Sequence, residues 1–326
     1  MKVSLVVPVY NEQANLDEFF RRTLAVMDGL ALPYELIVVD DGSRDRSIDI
    51  LKAWASRRPD VVRVLELSRN FGQHPAILAG FRDVTGDVAV TLDADLQNPP
   101  EEIPNLLAKV DEGYDVVGGV RRSRQDSFAR KAASAIVNRI TVAITRMRLT
   151  DFGCMLRAYS RDVVDEINRS EEAATFIPAL GQSLARNPTE IEVAHAARTG
   201  GESAYSLYRL IRLNFDLMTG FSTVPLQIFG ITGAFVSLGG IAFGVFLLVR
   251  RLIVGAEVEG VFTLFAILFT LLGIAMAGLG IVGEYVGRIY EQVRGRPRFA
   301  VRRVYGLGAP ETSSTPAPRP MPGRRA

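Results

Sequence analysis

Apolar runs alternate with amphipathic stretches through the first hundred residues. Val3–Val9 is an apolar run that ends on Tyr10-Asn11-Glu12. A helical periodicity follows from about Asn15 to Met27. Glu35–Val39 is a second apolar run, closing on Asp40-Asp41-Gly42-Ser43, and a second helical pattern covers Asp45–Ala55. Val61–Leu67 reads as a third strand, Gln73–Phe81 as a helix, and Asp87–Leu92 as a fourth strand closing on Asp93-Ala94-Asp95. Strands alternating with helices predict an α/β fold: a parallel sheet with crossover helices. Ligands of such sheets bind beyond the carboxyl ends of the strands. The polar clusters at 10–12, 40–43 and 93–97 all fall there, so three segments distant in sequence converge on one edge.

The pattern changes in the second half. From Tyr205 to Phe221, Arg209, Arg212, Asp216 and Thr219 recur at helical spacing among apolar residues. A narrow polar stripe on a broad apolar face predicts a helix lying at a membrane surface. Val224–Val249 and Val261–Gly283 are then each long enough to span a bilayer, which takes about 20 apolar residues. The short connection between them makes a hairpin. Arg209 and Arg212 precede it, and Arg288, Arg294, Arg296, Arg298, Arg302 and Arg303 follow it. The connection holds only Arg250 and Arg251, so the positive-inside bias expects both outer ends in the cytoplasm and the loop in the periplasm.

Composition narrows this further. A net charge of +2 gives no polyanion signal, and no nucleic-acid partner is expected. Cys154 is the single cysteine, which excludes an internal disulfide and a cysteine-held metal. The apolar run before Asn11 is too short for a signal peptide, so the first domain is expected to stay in the cytoplasm. The expected organisation is a catalytic domain over 1–204, an interfacial helix over 205–223 and membrane helices over 224–250 and 261–287. A periplasmic loop over 251–260, a basic cytoplasmic segment over 288–309 and a disordered Pro/Ser/Arg-rich tail over 310–326 complete it.

The chemistry concentrates at the strand ends. Alternation along a strand points Asp93 and Asp95 to the same side. Their mutual repulsion is relieved by a divalent cation, and oxygen ligands favour Mg²⁺ or Mn²⁺. Gln97 can add an amide oxygen. Asp40 and Asp41 end another strand, where helix capping with Ser43 and ligand binding are both open. Gly278-Leu-Gly280-Ile-Val-Gly283 has dinucleotide-binding spacing but lies in a membrane span without a preceding strand, so it predicts helix packing instead, within the hairpin or in a homo-oligomer.

The segments PVYNE (8–12), VVDDGS (38–43) and LDADLQNPPEEIP (92–104) resemble the inverting GT-A glycosyltransferases of family 2. SRNFGQHPAI (68–77), DEGYDVVGGVR (111–121), RQDSFARKAAS (124–134), DFGCMLRAY (151–159), TFIP (175–178), HAARTGGESAYS (195–206) and GEYVGRIY (283–290) are similar to its polyprenyl-phosphate branch. The resemblance runs from Val3 to about Val304. It implies a Rossmann-like GT-A domain holding a UDP-sugar, with Pro8, Tyr10, Asn11 and Glu12 shaping the nucleoside pocket and Asp40 facing the uracil. Asp93 and Ala94 would lie near the ribose and diphosphate, and Asp95 would bind the metal. It implies an acceptor phosphate held by Arg121, Arg130 and Arg198 with Ser203, since a guanidinium fork binds an oxyanion bidentately.

The implied reaction is transfer of a sugar from a UDP-sugar to undecaprenyl phosphate at a bacterial inner membrane. The expected sugar is 4-deoxy-4-formamido-L-arabinose, serving lipid A modification; glucose or mannose is the alternative. The segment before Gly201 keeps only His195 of an expected histidine pair, and residues 144–150 also depart from the branch; both bear on sugar choice. A processive synthase would carry a QxxRW signature, but the single tryptophan is Trp54. A non-enzymatic nucleotide-sugar binding protein is the remaining rival. The phosphate acceptor is already an anion, so no general base is expected. Asp151 is expected to position an arginine or the acceptor, or to form a structural turn with Gly153. His74 is expected to be a hydrogen-bonded structural histidine and Cys154 buried and inert.

Overall fold

The computed structural model describes residues 1–121, 151, 153–170, 176–194, 219, 223–254, 261–294 and 296–306. They fall into two compact units. One comprises residues 1–133, 147–204 and 297–326, and the other residues 134–146 and 205–296.

The first unit is built on an eight-stranded sheet. Its strands are β1 (Val3–Val9), β2 (Tyr34–Asp40), β3 (Val62–Leu67), β4 (Val88–Thr91), β5 (Val116–Arg121), β6 (Arg157–Ser160), β7 (Pro188–Val193) and β8 (Val301–Gly306). Their order across the sheet is β7-β5-β6-β4-β1-β2-β3-β8. The centre is parallel, as the strand–helix alternation predicts: β1 pairs with β2 and β4, and β2 with β3. The sheet as a whole is mixed, because β6 runs antiparallel to both β4 and β5, and β8 antiparallel to β3. This departs from the all-parallel expectation, whose strand–helix alternation covered only the segments up to β4.

The helices α1 (Leu16–Gly29), α2 (Ser47–Arg57), α3 (Gln73–Arg82), α4 (Ile103–Asp111), α5 (Arg161–Arg169) and α6 (Ile177–Leu184) accompany the sheet. Strands β1 and β2 are apolar almost throughout because central parallel strands are covered on both faces. Val3, Leu5, Val7, Leu36, Val38, Phe19 and Phe20 form one buried cluster. Pro8 is tolerated in the central β1 because the ladder to β4 already ends at Val6, paired with Thr91.

Strand β8 comes from the basic stretch after the second apolar helix, to which hydropathy assigns no strand. It closes the β3 edge. Tyr305 donates its hydroxyl to Glu66 Oε2 at 2.7 Å, Arg302 lies 3.3 Å from Glu66 Oε1, and Lys52 stands over the Tyr305 ring. An exposed strand edge is thereby removed.

The second unit contains α7 (Val224–Val254) and α8 (Val261–Val293). Windows of mean hydropathy 1.9 and 1.5, at Val224–Phe246 and Thr270–Tyr290, are long enough to cross a membrane. Their large apolar side chains are outward-facing: Phe235 is 72% exposed and Leu279 64%. Such continuous apolar surface requires a lipid environment, and the chain is a membrane-associated protein. Gly278 packs against the Phe229 ring so closely that a Cβ there would collide with it. At least one glycine of the dinucleotide-like spacing therefore serves packing between the two helices, within the hairpin. The predicted interfacial helix at 205–223 lies outside the described residues except for Thr219 and Thr223.

Candidate active site

The turn after β1 and the turn after β2 are tied together by their own polar side chains. Asn11, with φ of 55°, donates its N–H to Ser43 Oγ at 3.0 Å, and its Oδ1 accepts the N–H of Arg44 at 2.8 Å. Glu12 donates its N–H to Ser47 Oγ at 2.9 Å, and its Oε2 accepts from Asn15 Nδ2 at 2.7 Å. Asn11 and Glu12 thus shape the rim through local hydrogen bonds, while Tyr10 stands exposed beside them.

Asp40 and Asp41 are both buried, and they do different work. Asp41 Oδ1 accepts the N–H of Phe71 at 2.7 Å and its Oδ2 accepts that of Gly72 at 2.8 Å. Gly42, at φ of 68°, lets the Arg69 backbone approach to within 2.6 Å of where a Cβ would stand. The segment before α3 is thereby locked onto the β2 turn. Asp40 Oδ2 accepts the N–H of Ser43 at 3.3 Å, while among the described residues its buried Oδ1 has no hydrogen-bond partner. Burial raises its carboxyl above the ordinary range, an effect that the Ser43 hydrogen bonds only partly offset. A buried acceptor left unpaired is costly unless a ligand supplies the donor. Neither aspartate caps α2, whose start is held by Asp45 accepting the N–H of Ser47 at 3.0 Å.

Asp93 follows β4. Gln73, the first residue of α3, donates its side-chain amide to Asp93 Oδ1 at 2.6 Å. Among the described residues this is the one hydrogen bond to Asp93. Burial, and then the charge of Asp95, push the Asp93 carboxyl up to about 7; the Gln73 hydrogen bond opposes this, Glu12 adds to it and Arg121 lowers it. Those same influences place Asp95, Glu12 and Arg121 within electrostatic reach of Asp93, so the ends of β1, β4 and β5 meet here. Ala94 is buried between the two carboxylates, Leu96 adopts a left-handed backbone at φ of 60°, and Gln97 donates its N–H to Asp95 Oδ1 at 3.1 Å.

The donor set is all oxygen, carries excess negative charge and, among the described residues, leaves one Asp93 oxygen without a partner, which fits a hard divalent cation. Among the described residues no group of three or more His, Cys, Asp or Glu side chains converges as a closed metal cage. Two protein carboxylates match a cation that keeps water and substrate phosphates as its other ligands.

Arg121 ends β5. Its Nε and Nη2 donate to the two Asp151 oxygens at 2.7 and 2.8 Å. Asp151 Oδ1 also accepts the N–H of Gly153 at 3.0 Å, so both readings of Asp151, as partner of an arginine and as part of a turn with Gly153, hold together. Arg157, only 1% exposed, lies beneath this turn and donates Nη2 to the Asp151 carbonyl at 2.7 Å and Nε to the Cys154 carbonyl at 2.9 Å. Residues 121 and 193 are register partners between β5 and β7, and Glu102 Oε1 accepts the N–H of Ala194 at 3.1 Å. The end of β7 at Ala194 is thus tied to the start of α4. His195, Arg198, Ser203 and Arg130 lie outside the described residues.

His74 packs edge-on to Phe176 at 4.8 Å, its Nδ1 is buried without a partner, and burial pushes its imidazole down to about 4. It is neutral at neutral pH and packs on Phe176, a structural role, though its Nδ1 makes no hydrogen bond among the described residues where the sequence reading expects a hydrogen-bonded histidine. The Cys154 thiol is buried and pushed up to about 11 by that burial, so it is inert. Sequence reasoning gave Gln73, Arg157 and Glu102 no role. Only Gln73 carried a local sign, its place directly after Gly72 at a helix start.

The family model of glycosyl transferase family 2 matches residues 4–167. The chain belongs to that family. It is a glycosyltransferase with a GT-A fold, and the segments 8–12, 38–43 and 92–104 lie within the match. Among its relatives, a protein of Serratia proteamaculans is 52% identical over 94% of both chains. One of Klebsiella pneumoniae is 51% identical over 96% of both. Each is named undecaprenyl-phosphate 4-deoxy-4-formamido-L-arabinose transferase. Among solved structures, glucosyl-3-phosphoglycerate synthase from Mycobacterium tuberculosis has a TM-score of 0.48 at 20% identity, over 68% of this chain and 80% of that one. Residues 1–349 of TarS from S. aureus, solved with UDP-GlcNAc, have a TM-score of 0.44 at 19% identity, over 66% of this chain and 65% of that one.

Proposed function

We propose that this membrane glycosyltransferase moves 4-deoxy-4-formamido-L-arabinose from its UDP conjugate to undecaprenyl phosphate, with inversion at the anomeric carbon, for lipid A modification. The observation that carries this reading is the likeness to relatives of that printed name at 51–52% identity across 92–96% of both chains.

The site chemistry supports it. The bond from the anomeric carbon to UDP breaks, and a bond to an acceptor phosphate oxygen forms on the opposite face. A phosphomonoester has a second pKa of about 6, so the nucleophile is an anion without help. Asp40, with its free buried oxygen, suits the imide N–H of uracil. Pro8, Tyr10, Asn11 and Glu12 border the nucleoside. Asp93 and Asp95, with Gln97 beside them, would hold Mg²⁺ or Mn²⁺, which offsets the charge gathering on the departing diphosphate. Arg121, held in one orientation by Asp151, meets the acceptor phosphate together with Arg130, Arg198 and Ser203. The remaining task is to bring one anion to a donor bearing two phosphates, and positive charge with fixed placement serves it.

The domain bounds are part of this proposal with two changes: the catalytic domain of residues 1–204 also takes in β8 (Val301–Gly306), and the two long helices run on to Val254 and Val293. A cytoplasmic catalytic domain and termini, a periplasmic loop between the two helices, and assembly into a homo-oligomer belong to it as well.

The test is a panel of UDP-sugars offered to the purified full-length protein in lipid nanodiscs with undecaprenyl phosphate. The formamido-arabinose donor should be turned over far faster than UDP-glucose. Equal or faster use of a hexose donor would contradict the sugar assignment while leaving the acceptor assignment intact.

A further inference from the structure

We infer that Gln73 is a positioning residue for the carboxylate pair: its neutral amide orients Asp93 without compensating its charge, which leaves that negative charge available to a bound divalent cation. This rests on reading Asp93 and Asp95 as the cation's ligands.

The geometry leading to Gln73 is unusually determined. Both Asp41 oxygens accept backbone N–H groups of the segment just before it, from Phe71 and Gly72. Gly42 and the Arg69 backbone are in direct contact. The chain therefore enters α3 at a fixed place, and the first helical side chain reaches 2.6 Å from Asp93 Oδ1. One Asp93 oxygen is thereby occupied and the carboxylate plane is set. The other oxygen has no hydrogen-bond partner among the described residues.

Asp95 and Glu12 act on Asp93 as like charges. Arg121 opposes them, but its guanidinium is already bound to both oxygens of Asp151. A lysine at position 73 would place one positive charge against the same carboxylate and offset one of the pair's two negative charges before any cation arrived. A glutamine supplies direction and no charge. Pairing a neutral donor with a surplus of negative charge leaves that surplus available to an external cation.

The experiment measures Mn²⁺ binding to the full-length protein in nanodiscs, with and without UDP, by electron paramagnetic resonance of free Mn²⁺. Gln73 is exposed at the start of a helix, so substitution there leaves the core intact, and unfolding curves of each variant check this. Gln73→Met removes the donor at similar length and should weaken Mn²⁺ binding about tenfold, the scale of one charge-assisted hydrogen bond. Gln73→Lys should weaken it further and make residual sugar transfer less dependent on added metal. A merely structural role would not order the two variants this way. Asp95→Asn separates the two levels of the reading. If Asp95→Asn binds Mn²⁺ as the natural protein does, the cation assignment is overturned. If Asp95→Asn loses Mn²⁺ while Gln73→Met and Gln73→Lys bind it normally, the role given to Gln73 is overturned and the cation assignment stands.

Discussion

The Arg121 guanidinium and the Asp151 carboxylate form a two-point pair, Nε to Oδ2 at 2.7 Å and Nη2 to Oδ1 at 2.8 Å, with both side chains largely buried. Asp151 is thus committed to holding an arginine, and its Oδ1 also serves the Gly153 N–H. A carboxylate engaged in this way is poorly placed to take a proton, and the proposed acceptor has none to give. Asp151→Asn should keep a substantial fraction of kcat. It should raise the acceptor KM about ten- to a hundredfold, the scale of a lost hydrogen bond between charged groups. Steady-state kinetics at varied acceptor concentration measure this. Loss of kcat restored by an added small base would show that Asp151 is the base after all.

Arg157 has a different kind of importance. Its buried guanidinium satisfies the carbonyls of Asp151 and Cys154, which hold the turn under Arg121. Arg157→Met would orphan both, at about 1–3 kcal/mol each. Gly118→Ala should act in the same direction, because its new Cβ would stand 2.6 Å from Arg157 Nη1. Denaturant unfolding followed by Trp54 fluorescence should show both variants destabilised, Arg157→Met the more. Unchanged midpoints would mean that the turn does not depend on this contact.

A pH dependence follows from Glu35, buried at the opposite end of the sheet. Burial alone would raise its carboxyl, but hydrogen bonds from Ser4 Oγ and from the Thr85 N–H and hydroxyl outweigh this and hold it below its ordinary 4.5. A depressed folded value means the stabilisation is present above about 4.5 and is lost as pH falls through the folded value. Glu35→Gln should therefore lower stability at neutral pH and flatten its decline in acid. Trp54 is the single tryptophan, stacked on Phe20 at 4.9 Å, and its fluorescence reports this unit. A parallel acid decline in both proteins would remove Glu35 from the account.

Strand β8 makes the chain beyond the membrane helices part of the catalytic sheet. A chain ending at Arg296 loses the Tyr305 and Arg302 contacts to Glu66 and bares the β3 edge. It should unfold at lower temperature by Trp54 fluorescence and aggregate more readily. Equal thermal stability with and without residues 297–326 would show β8 to be dispensable.

The parts of the fold legible in the sequence are those where one physical rule dominates. Central strands β1 to β4 are apolar because both faces are covered, and their helices have clear amphipathic stripes, so their positions could be read within a residue or two. The carboxylates at 40–41 and 93–95 could be read because strand ends in such sheets face the ligand. The rest depends on pairing that periodicity does not encode. Strand β6 is four residues long, and its antiparallel course is set by partners on two sides. Strand β8 has arginines at two successive positions, 302 and 303, and gains its place from the β3 edge and Glu66. Gln73 and Arg157 act through contacts across 20 residues and across a turn carbonyl, and their residue types alone carry no sign of it.

The most direct test of the central claim is acceptor-dependent UDP release, with the lipid product read by mass spectrometry. The full-length protein in nanodiscs is given Mg²⁺, UDP-4-deoxy-4-formamido-L-arabinose and undecaprenyl phosphate. The account predicts one UDP released for each glycosyl phosphodiester formed, and neither product from Asp95→Asn or in excess chelator. UDP release that ignores the lipid phosphate, or a full yield of lipid product from Asp95→Asn in chelator, would contradict it.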